Sequence, residues 1–262
     1  MKRVKVKKRI KDLCRQQLKY EDKVSEIRFK LFYQPYKELA EAIEKEFSKS
    51  LFTTLKEKVG KLVNGVFKPK MKEALKTSTK HSIDQFIDFF TNIFKRPLKD
   101  TDVQNIKTKI FNEYTQKYTT STLTNVTETL TSKINRIIKD GLDKGLSTEE
   151  ITNKIVIDTK GVIGQTRAQM IAREETAKVM ETVNYETAVK VKSKEKTWLH
   201  IGGGKTDRKS HLALHGITIK INEKFSVGAE GKVPAVEMRF PKDPECSVAG
   251  QIIGCRCKVS YS

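Results

Sequence analysis

The sequence predicts an α+β fold in which a mostly α-helical N-terminal region precedes a C-terminal α+β domain that ends in short β-strands. From Glu21 to Lys192 apolar residues recur every three or four positions, which is the period of amphipathic helices. After Lys192 glycine and proline become frequent, and short runs rich in β-branched residues lie between them. We therefore expect a basic helical region over residues 1–140 and a second domain over residues 141–262.

The N-terminal region is expected to contain three helical stretches, over Glu21–Val66, over Met71–Phe94 and from Asp102 to Ile138. Proline sets their predicted limits, because it lacks a backbone N–H and disfavours helix in the residue before it. Pro35 should bend or break the first helix, Lys68-Pro69 should close it, and Arg96-Pro97 should end the second. The patch Thr119–Thr122 lowers helix propensity and is a candidate break in the third.

The following segment should be helical and then turn to strands. Ser147 followed by Glu150 is a capping-box pattern that starts a helix near Thr148. A loop is expected over Asp158–Gly164, and a long helix over Gln165–Lys192. The expected strands are Thr197–Ile201, Ile217–Ile221, Val236–Phe240 and Arg256–Ser260.

The chain is strongly basic, with 52 Lys and Arg against 32 Asp and Glu among 262 residues, for a net charge of +20. This balance favours anionic partners, and evenly spread lysines suit sequence-independent contact with double-stranded DNA. A solvated, partly frayed helix end is the alternative interpretation of the dense N-terminal charge block. The candidate DNA-binding residues in that block are Lys2, Arg3, Lys5, Lys7, Lys8, Arg9 and Lys11.

Other features of the sequence exclude several classes of protein. No apolar run reaches the ~18 residues that a membrane span needs, so we expect no membrane partner. The basic N-terminus is not followed by the apolar stretch of a secretory signal. Four cysteines are too few for a disulfide scaffold, and synthesis in a reducing cytoplasm is expected.

Two cysteines and a histidine form a candidate zinc site. Cys255 and Cys257 are two positions apart, so on a strand both thiols point to one face. His211 is a candidate third ligand, and Cys246 or His215 a candidate fourth, of a tetrahedral Zn²⁺ ion. The alternative is that the chain has no cofactor and that the two thiols pack in a core beside a hydrogen-bonded histidine.

The polar residues near His211 favour a structural role over catalysis, so we expect no enzyme. Ser210 and His211 are neighbours in sequence, so their side chains diverge and do not form a nucleophile–base pair. Asp207 is a candidate cap of a short helix over Ser210–Leu214. A pair between Arg173 or Arg208 and Asp207 or Glu175 is expected to tie the long helix to the C-terminal segment.

The order of motifs after Ser147 resembles the Mu F-like family of phage minor head proteins, also called the head morphogenesis family. The most specific motifs are the helix carrying Arg173 and Glu174, the DRKSH stretch from Asp207, the FPKDP turn and the closing CRC. The resemblance covers about the last 115 residues and assigns a structural motif to Arg173, Glu175, Trp198, Asp207, Arg208, Ser210, His211, Gly216, Pro241, Asp243, Pro244, Cys255, Arg256 and Cys257.

The resemblance implies a minor capsid protein of a tailed phage or prophage, present in the virion in few copies. Such a protein acts inside the head near the portal, in assembly, DNA packaging or ejection, with the portal and other head proteins as partners. It would be found in the host cytoplasm during assembly. Two other functions remain open: a sequence-independent DNA-binding protein unrelated to capsids, and a metal-dependent enzyme.

Overall fold

The computed structural model describes residues 2–3, 8–47, 55–94, 98–202 and 207–262, and it confirms the α+β prediction. The helices of the first part are α1 (Lys8–Phe47), α2 (Leu55–Leu62), α3 (Lys68–Phe94), α4 (Asp100–Glu113), α5 (Thr119–Asp143), α6 (Thr148–Lys160) and α7 (Val162–Lys190). The short elements are β1 (Lys2–Arg3), β2 (Glu195–Leu199), α8 (Lys209–Ala213), β3 (Ile217–Lys220), β4 (Phe225–Val227), β5 (Val236–Met238), α9 (Ala249–Ile252) and β6 (Lys258–Tyr261).

Two prolines lie within helices, so α1 does not break at Pro35 and the helical run does not close at Lys68-Pro69. Helix α1 runs through Pro35 without interruption, and burial of the neighbouring Tyr36 and Leu39 offsets the lost backbone hydrogen bond. Before Pro69 the chain forms a π-helical segment, Val63–Phe67, which leads directly into α3. Its wider turns leave room for the proline ring against the preceding carbonyls. Arg96-Pro97 lies outside the described residues.

The helix does not break at the threonine-rich patch. Instead, a π-helical segment over Tyr114–Tyr118 joins α4 to α5, and the Thr119 hydroxyl donates a 2.8 Å hydrogen bond to the Tyr114 carbonyl. The predicted loop over Asp158–Gly164 is also wrong, because only Gly161 separates α6 from α7. The predicted capping box is confirmed: Ser147 and Glu150 each accept from the other's backbone N–H.

The chain divides into two compact units. Unit 2 comprises residues 25–79 and 113–172 and is helical. Gly141 allows α5 to approach α6 closely, since a Cβ there would lie 2.5 Å from the Ile151 side chain. The apolar core of unit 2 includes Phe32, Leu39, Ile43, Val59, Phe67, Leu130, Ile134, Ile151 and Ile155.

Unit 1 comprises residues 1–24, 80–112 and 173–262 and carries the β-structure. Its antiparallel sheet has the strand order β1-β3-β2-β6, and β4 and β5 form a separate hairpin. The core beside the sheet includes Trp198, Ile219, Phe225, Met238, Phe240, Cys255, Cys257 and Val259. Both units are defined by the packing of the chain. The expected domain boundary at residue 140 depends instead on where the resemblance to a sequence family begins, and it stays a prediction.

Candidate metal centre

Unit 1 brings the three residues of the expected zinc site together. The ligand atoms of His211, Cys255 and Cys257 lie within 4.8 Å of one another, and all three residues are buried. The Nδ1 atom of His211 is 3.4 Å from Cys255 Sγ and 3.7 Å from Cys257 Sγ. Both thiols therefore face one nitrogen of one imidazole, which is the arrangement that a shared metal ion requires.

The sheet explains why the thiols lie there. Antiparallel pairing of β2 with β6 sets Leu199 opposite Lys258, so the residue before β6 lies beside the residue after β2. Those residues are Cys257 and His200. Between the two thiols, Arg256 turns away and donates to Asp22 Oδ2 at 3.0 Å.

His200 is a further candidate ligand that spacing in the sequence does not predict. Its Nδ1 atom is 3.6 Å from Cys257 Sγ, and its Nε2 atom is 3.5 Å from Asp207 Oδ2. The two residues proposed as a fourth ligand lie elsewhere: Cys246 Sγ faces the Val248 carbonyl, and His215 Nδ1 accepts from the His200 backbone N–H. A lone histidine beside a glycine run carries no ligand spacing, so only the strand register reveals it.

Gln251 fixes the tautomer of His211. The Gln251 amide nitrogen donates to the carbonyls of Gly228 and Pro234, at 3.1 and 2.9 Å, which leaves its Oε1 atom as an acceptor. The His211 Nε2 atom lies 3.0 Å from that oxygen and must donate to it. The lone pair of the ring is therefore on Nδ1, directed at the two thiols.

The two thiols differ in acidity because they are hydrogen-bonded to each other. The hydrogen bond that Cys255 accepts from Cys257 holds the pKa of Cys255 well below its usual range. The same hydrogen bond and burial raise the pKa of Cys257 above its usual range. Thiolate is the form that binds metals, so the cluster already favours one such ligand.

The expected cap of the short helix is wrong. Asp207 lies beside His200, and the carboxylate of Glu230 covers the N-terminus of α8 instead. Glu230 accepts from the backbone N–H groups of Lys209 and Ser210, at 3.0 and 2.9 Å, and from the Ser210 hydroxyl at 2.8 Å. These donors lower the pKa of Glu230 to about 2.

Glu230→Gln is expected to lower the melting temperature of the full chain at pH 7, because an amide accepts fewer of these hydrogen bonds. Since the folded pKa lies below the ordinary 4.5, the carboxylate stabilises fully above pH 4.5, and this stabilisation disappears as the pH falls towards 2. The difference in melting temperature between the variant and the parent should therefore become smaller as the pH falls from 4.5 towards 2. The exposed Glu237→Gln serves as control, and a gap independent of pH would contradict the assignment.

The tie between α7 and the C-terminal segment uses different residues from those expected. Glu174, not Glu175, makes it: one oxygen accepts from Lys242 Nζ at 2.6 Å and the other from the Gly254 N–H at 2.9 Å. Glu175 pairs with Lys178 at 2.7 Å. Arg173 is exposed, and Arg208 donates to the Ile253 carbonyl at 2.6 Å.

The remaining motif residues stabilise turns and the core. Asp243, between Pro241 and Pro244, accepts four hydrogen bonds, three from Arg239 and one from the Glu245 N–H. Trp198 is fully buried and meets His211 edge-on at 5.4 Å. The Gly216 N–H donates to the Trp198 carbonyl with a φ of 79°, a conformation that favours glycine.

The structure describes only part of the basic N-terminal block. Lys2 and Arg3 form β1, paired with β3, and Lys8 and Lys11 are exposed on α1. Arg9 lies in α1, but its side chain is outside the described set. Lys5 and Lys7 lie outside the described residues. Binding of DNA by these residues stays a prediction.

Together these features define a class of protein: an α+β module whose polar residues hold its own turns, helix ends and strands together. The family described as Phage Mu protein F like protein matches residues 132–260, and this part of the chain belongs to that family. The resemblance found in the sequence is thus confirmed, and it indicates a phage head morphogenesis protein found in the virion.

No curated protein and no solved structure matches the chain. Among the described residues, no helix combines the length and apolar character needed to cross a membrane.

Proposed function

We propose that this chain is a minor head protein of a tailed phage or prophage that acts inside the head, near the portal, during assembly, DNA packaging or ejection. The match of residues 132–260 to the Mu F-like family carries the proposal. Its partners are then the portal and other head proteins, and it is present in the host cytoplasm until the head is assembled.

The role that we propose is structural and not enzymatic. The Ser210 hydroxyl donates to Glu230, and the His211 ring is engaged by Gln251 and the two thiols. A serine nucleophile needs a base within hydrogen-bond reach of its hydroxyl, and in unit 1 the two groups have separate partners. This arrangement supports a structural role for Ser210 and His211 in preference to a catalytic one.

We further propose that the chain contacts packaged DNA without reading its sequence. A net charge of +20 raises affinity for phosphates, and Lys8 and Lys11 present exposed amines on the first turn of α1. Such contacts release condensed counterions, so affinity falls as salt rises.

The full chain is expected to bind two duplexes of unrelated sequence with equal affinity. The logarithm of its association constant should fall linearly with the logarithm of the salt concentration. The double variant Lys8→Gln/Lys11→Gln should reduce the salt slope by about two, because each lysine accounts for about one phosphate contact. Fluorescence anisotropy measures the sequence preference and the salt slope, with Lys144→Gln/Lys154→Gln as the matched control at two other exposed lysines. A flat salt dependence or a strong sequence preference would contradict the proposal.

Deletion of the gene, with complementation, tests the role in the head. Electron microscopy should show fewer DNA-filled heads without the chain and normal numbers once it is restored. Normal heads together with salt-dependent DNA binding would instead favour a DNA-binding protein unrelated to capsids.

A further inference from the structure

Three ligand atoms, the two sulfurs and His211 Nδ1 described above, lie within 4.8 Å of one another between α8 and the segment before β6. A fourth, His200 Nδ1 at the end of β2, lies 3.6 Å from one of them, Cys257 Sγ. In a tetrahedral zinc site, Zn–S bonds of about 2.3 Å and Zn–N bonds of about 2.0–2.1 Å set neighbouring sulfur and nitrogen atoms about 3.5–3.6 Å apart. The sulfur–nitrogen separations of 3.4 and 3.7 Å at His211 and of 3.6 Å at His200 lie at that spacing.

Both histidines present a lone pair on Nδ1 to a cysteine sulfur. The Gln251 oxygen places the proton of His211 on Nε2. Asp207, a carboxylate that accepts hydrogen bonds, faces Nε2 of His200 and favours the same tautomer there. A metal-binding histidine characteristically donates the N–H of its second ring nitrogen to a carboxylate or carbonyl oxygen. Such an oxygen lies 3.0 Å from His211 Nε2 and 3.5 Å from His200 Nε2.

Charge also favours a divalent ion. Two thiolates and two neutral imidazoles carry a charge of −2, which Zn²⁺ cancels, so the filled site is neutral in a buried setting. Soft thiolates with imidazoles select zinc over magnesium or calcium, which prefer oxygen ligands.

We propose that this cluster binds one structural Zn²⁺ ion through Cys255 Sγ, Cys257 Sγ, His211 Nδ1 and His200 Nδ1. Four protein ligands fill the tetrahedron and leave no position for a reacting water, which is typical of structural and not of catalytic zinc. The ion would join the end of β2, helix α8 and the segment before β6. The inference does not depend on the proposed role in the head.

Metal analysis of the full chain tests the site. After reconstitution with Zn²⁺ and removal of excess metal, we expect about one zinc per chain by mass spectrometry. Replacement by Co²⁺ should give the visible spectrum of a tetrahedral ion with thiolate-to-metal charge transfer. This measurement needs no variant, so it tests zinc binding even if the substituted chains fail to fold.

Paired variants identify the ligands. Cys257→Ser and His200→Gln should each weaken zinc binding by more than about 100-fold in competition with a chromophoric chelator, because loss of a direct ligand exceeds the 10–100-fold cost of losing an outer partner. Cys246→Ser and His81→Gln, which change a cysteine and an exposed histidine outside the cluster, should bind as the parent does.

Two results would overturn the proposal. One is less than about 0.1 zinc per reconstituted chain, or a Co²⁺ spectrum without thiolate charge transfer. The other is full affinity in Cys257→Ser or in His200→Gln, since either shows that the bound ion does not use this ligand set.

Discussion

Lys258→Met is expected to lower the free energy of unfolding by about 3–5 kcal/mol, because it leaves two buried carboxylates without their cation. The Lys258 side chain is 1% exposed, and its amine contacts Glu21 and Glu181, the latter at 2.8 Å. Burial alone would lower the pKa of Lys258, but the two carboxylates outweigh burial and raise it. Burial raises the pKa of Glu181 to about 7 even with the lysine present.

The loss should depend on pH in a defined direction. Without the amine, the folded pKa of Glu181 rises further above its ordinary value of 4.5, so the folded variant binds more protons than the unfolded chain. Its stability therefore falls as the pH rises from about 4.5 through 7, and the difference from the parent is larger at pH 8 than at pH 5. Urea unfolding at the two pH values measures this.

Two further variants separate the effect from a general loss of charge. Adding Glu181→Gln to Lys258→Met should recover part of the stability, because an amide costs less to bury than an unpaired carboxylate. Lys61→Met breaks an exposed pair with Glu57 and should leave the urea midpoint unchanged. An unchanged midpoint for Lys258→Met at pH 8 would show that the buried group does not stabilise unit 1.

Trp198→Ala is expected to cost about 3–5 kcal/mol, the range for removing a large buried aromatic side chain. Trp198 is fully buried and packs edge-on against Phe225 at 5.2 Å and against His211 at 5.4 Å. The cavity would lie next to the cluster of His211, Cys255 and Cys257, so the variant should also loosen the position of the His211 imidazole.

Conservative and surface changes provide the controls for Trp198. Trp198→Phe keeps an aromatic ring in the pocket and should lose clearly less stability than Trp198→Ala. Leu212→Ala removes a side chain that is 53% exposed and should change the urea midpoint little. Equal midpoints for Trp198→Ala and Leu212→Ala would contradict the assignment of Trp198 to the core.

The helical periodicity and the capping box at Ser147 could be predicted from the sequence because both are local. The long helix ending near Lys190 and the capping box at Ser147 depend on residues within a few positions of each other. The effect of the prolines was predicted wrongly. The hydrogen bond that a proline removes from a helix can be recognised from the sequence, whereas the packing that compensates for it cannot. Burial beside Pro35 and the π-helical turn before Pro69 both depend on packing that spacing does not reveal.

The site was predictable in part for the same reason. The spacing of Cys255 and Cys257 predicts that their thiols lie on one face. His200 comes next to Cys257 only through the pairing of β2 with β6. Glu230 reaches the end of α8 from 20 positions away, and Glu21 reaches Lys258 from 237. Long-range partners of this kind leave no pattern in a single sequence.

Quantitative mass spectrometry of purified, DNA-filled heads tests the central claim, that this chain is a structural component of a phage head. With the major capsid protein as internal standard, we predict that the chain is present in every preparation, in far fewer copies than the capsid protein, and protected from external protease. Its absence from purified heads, in cells where the chain is abundant, would contradict the account.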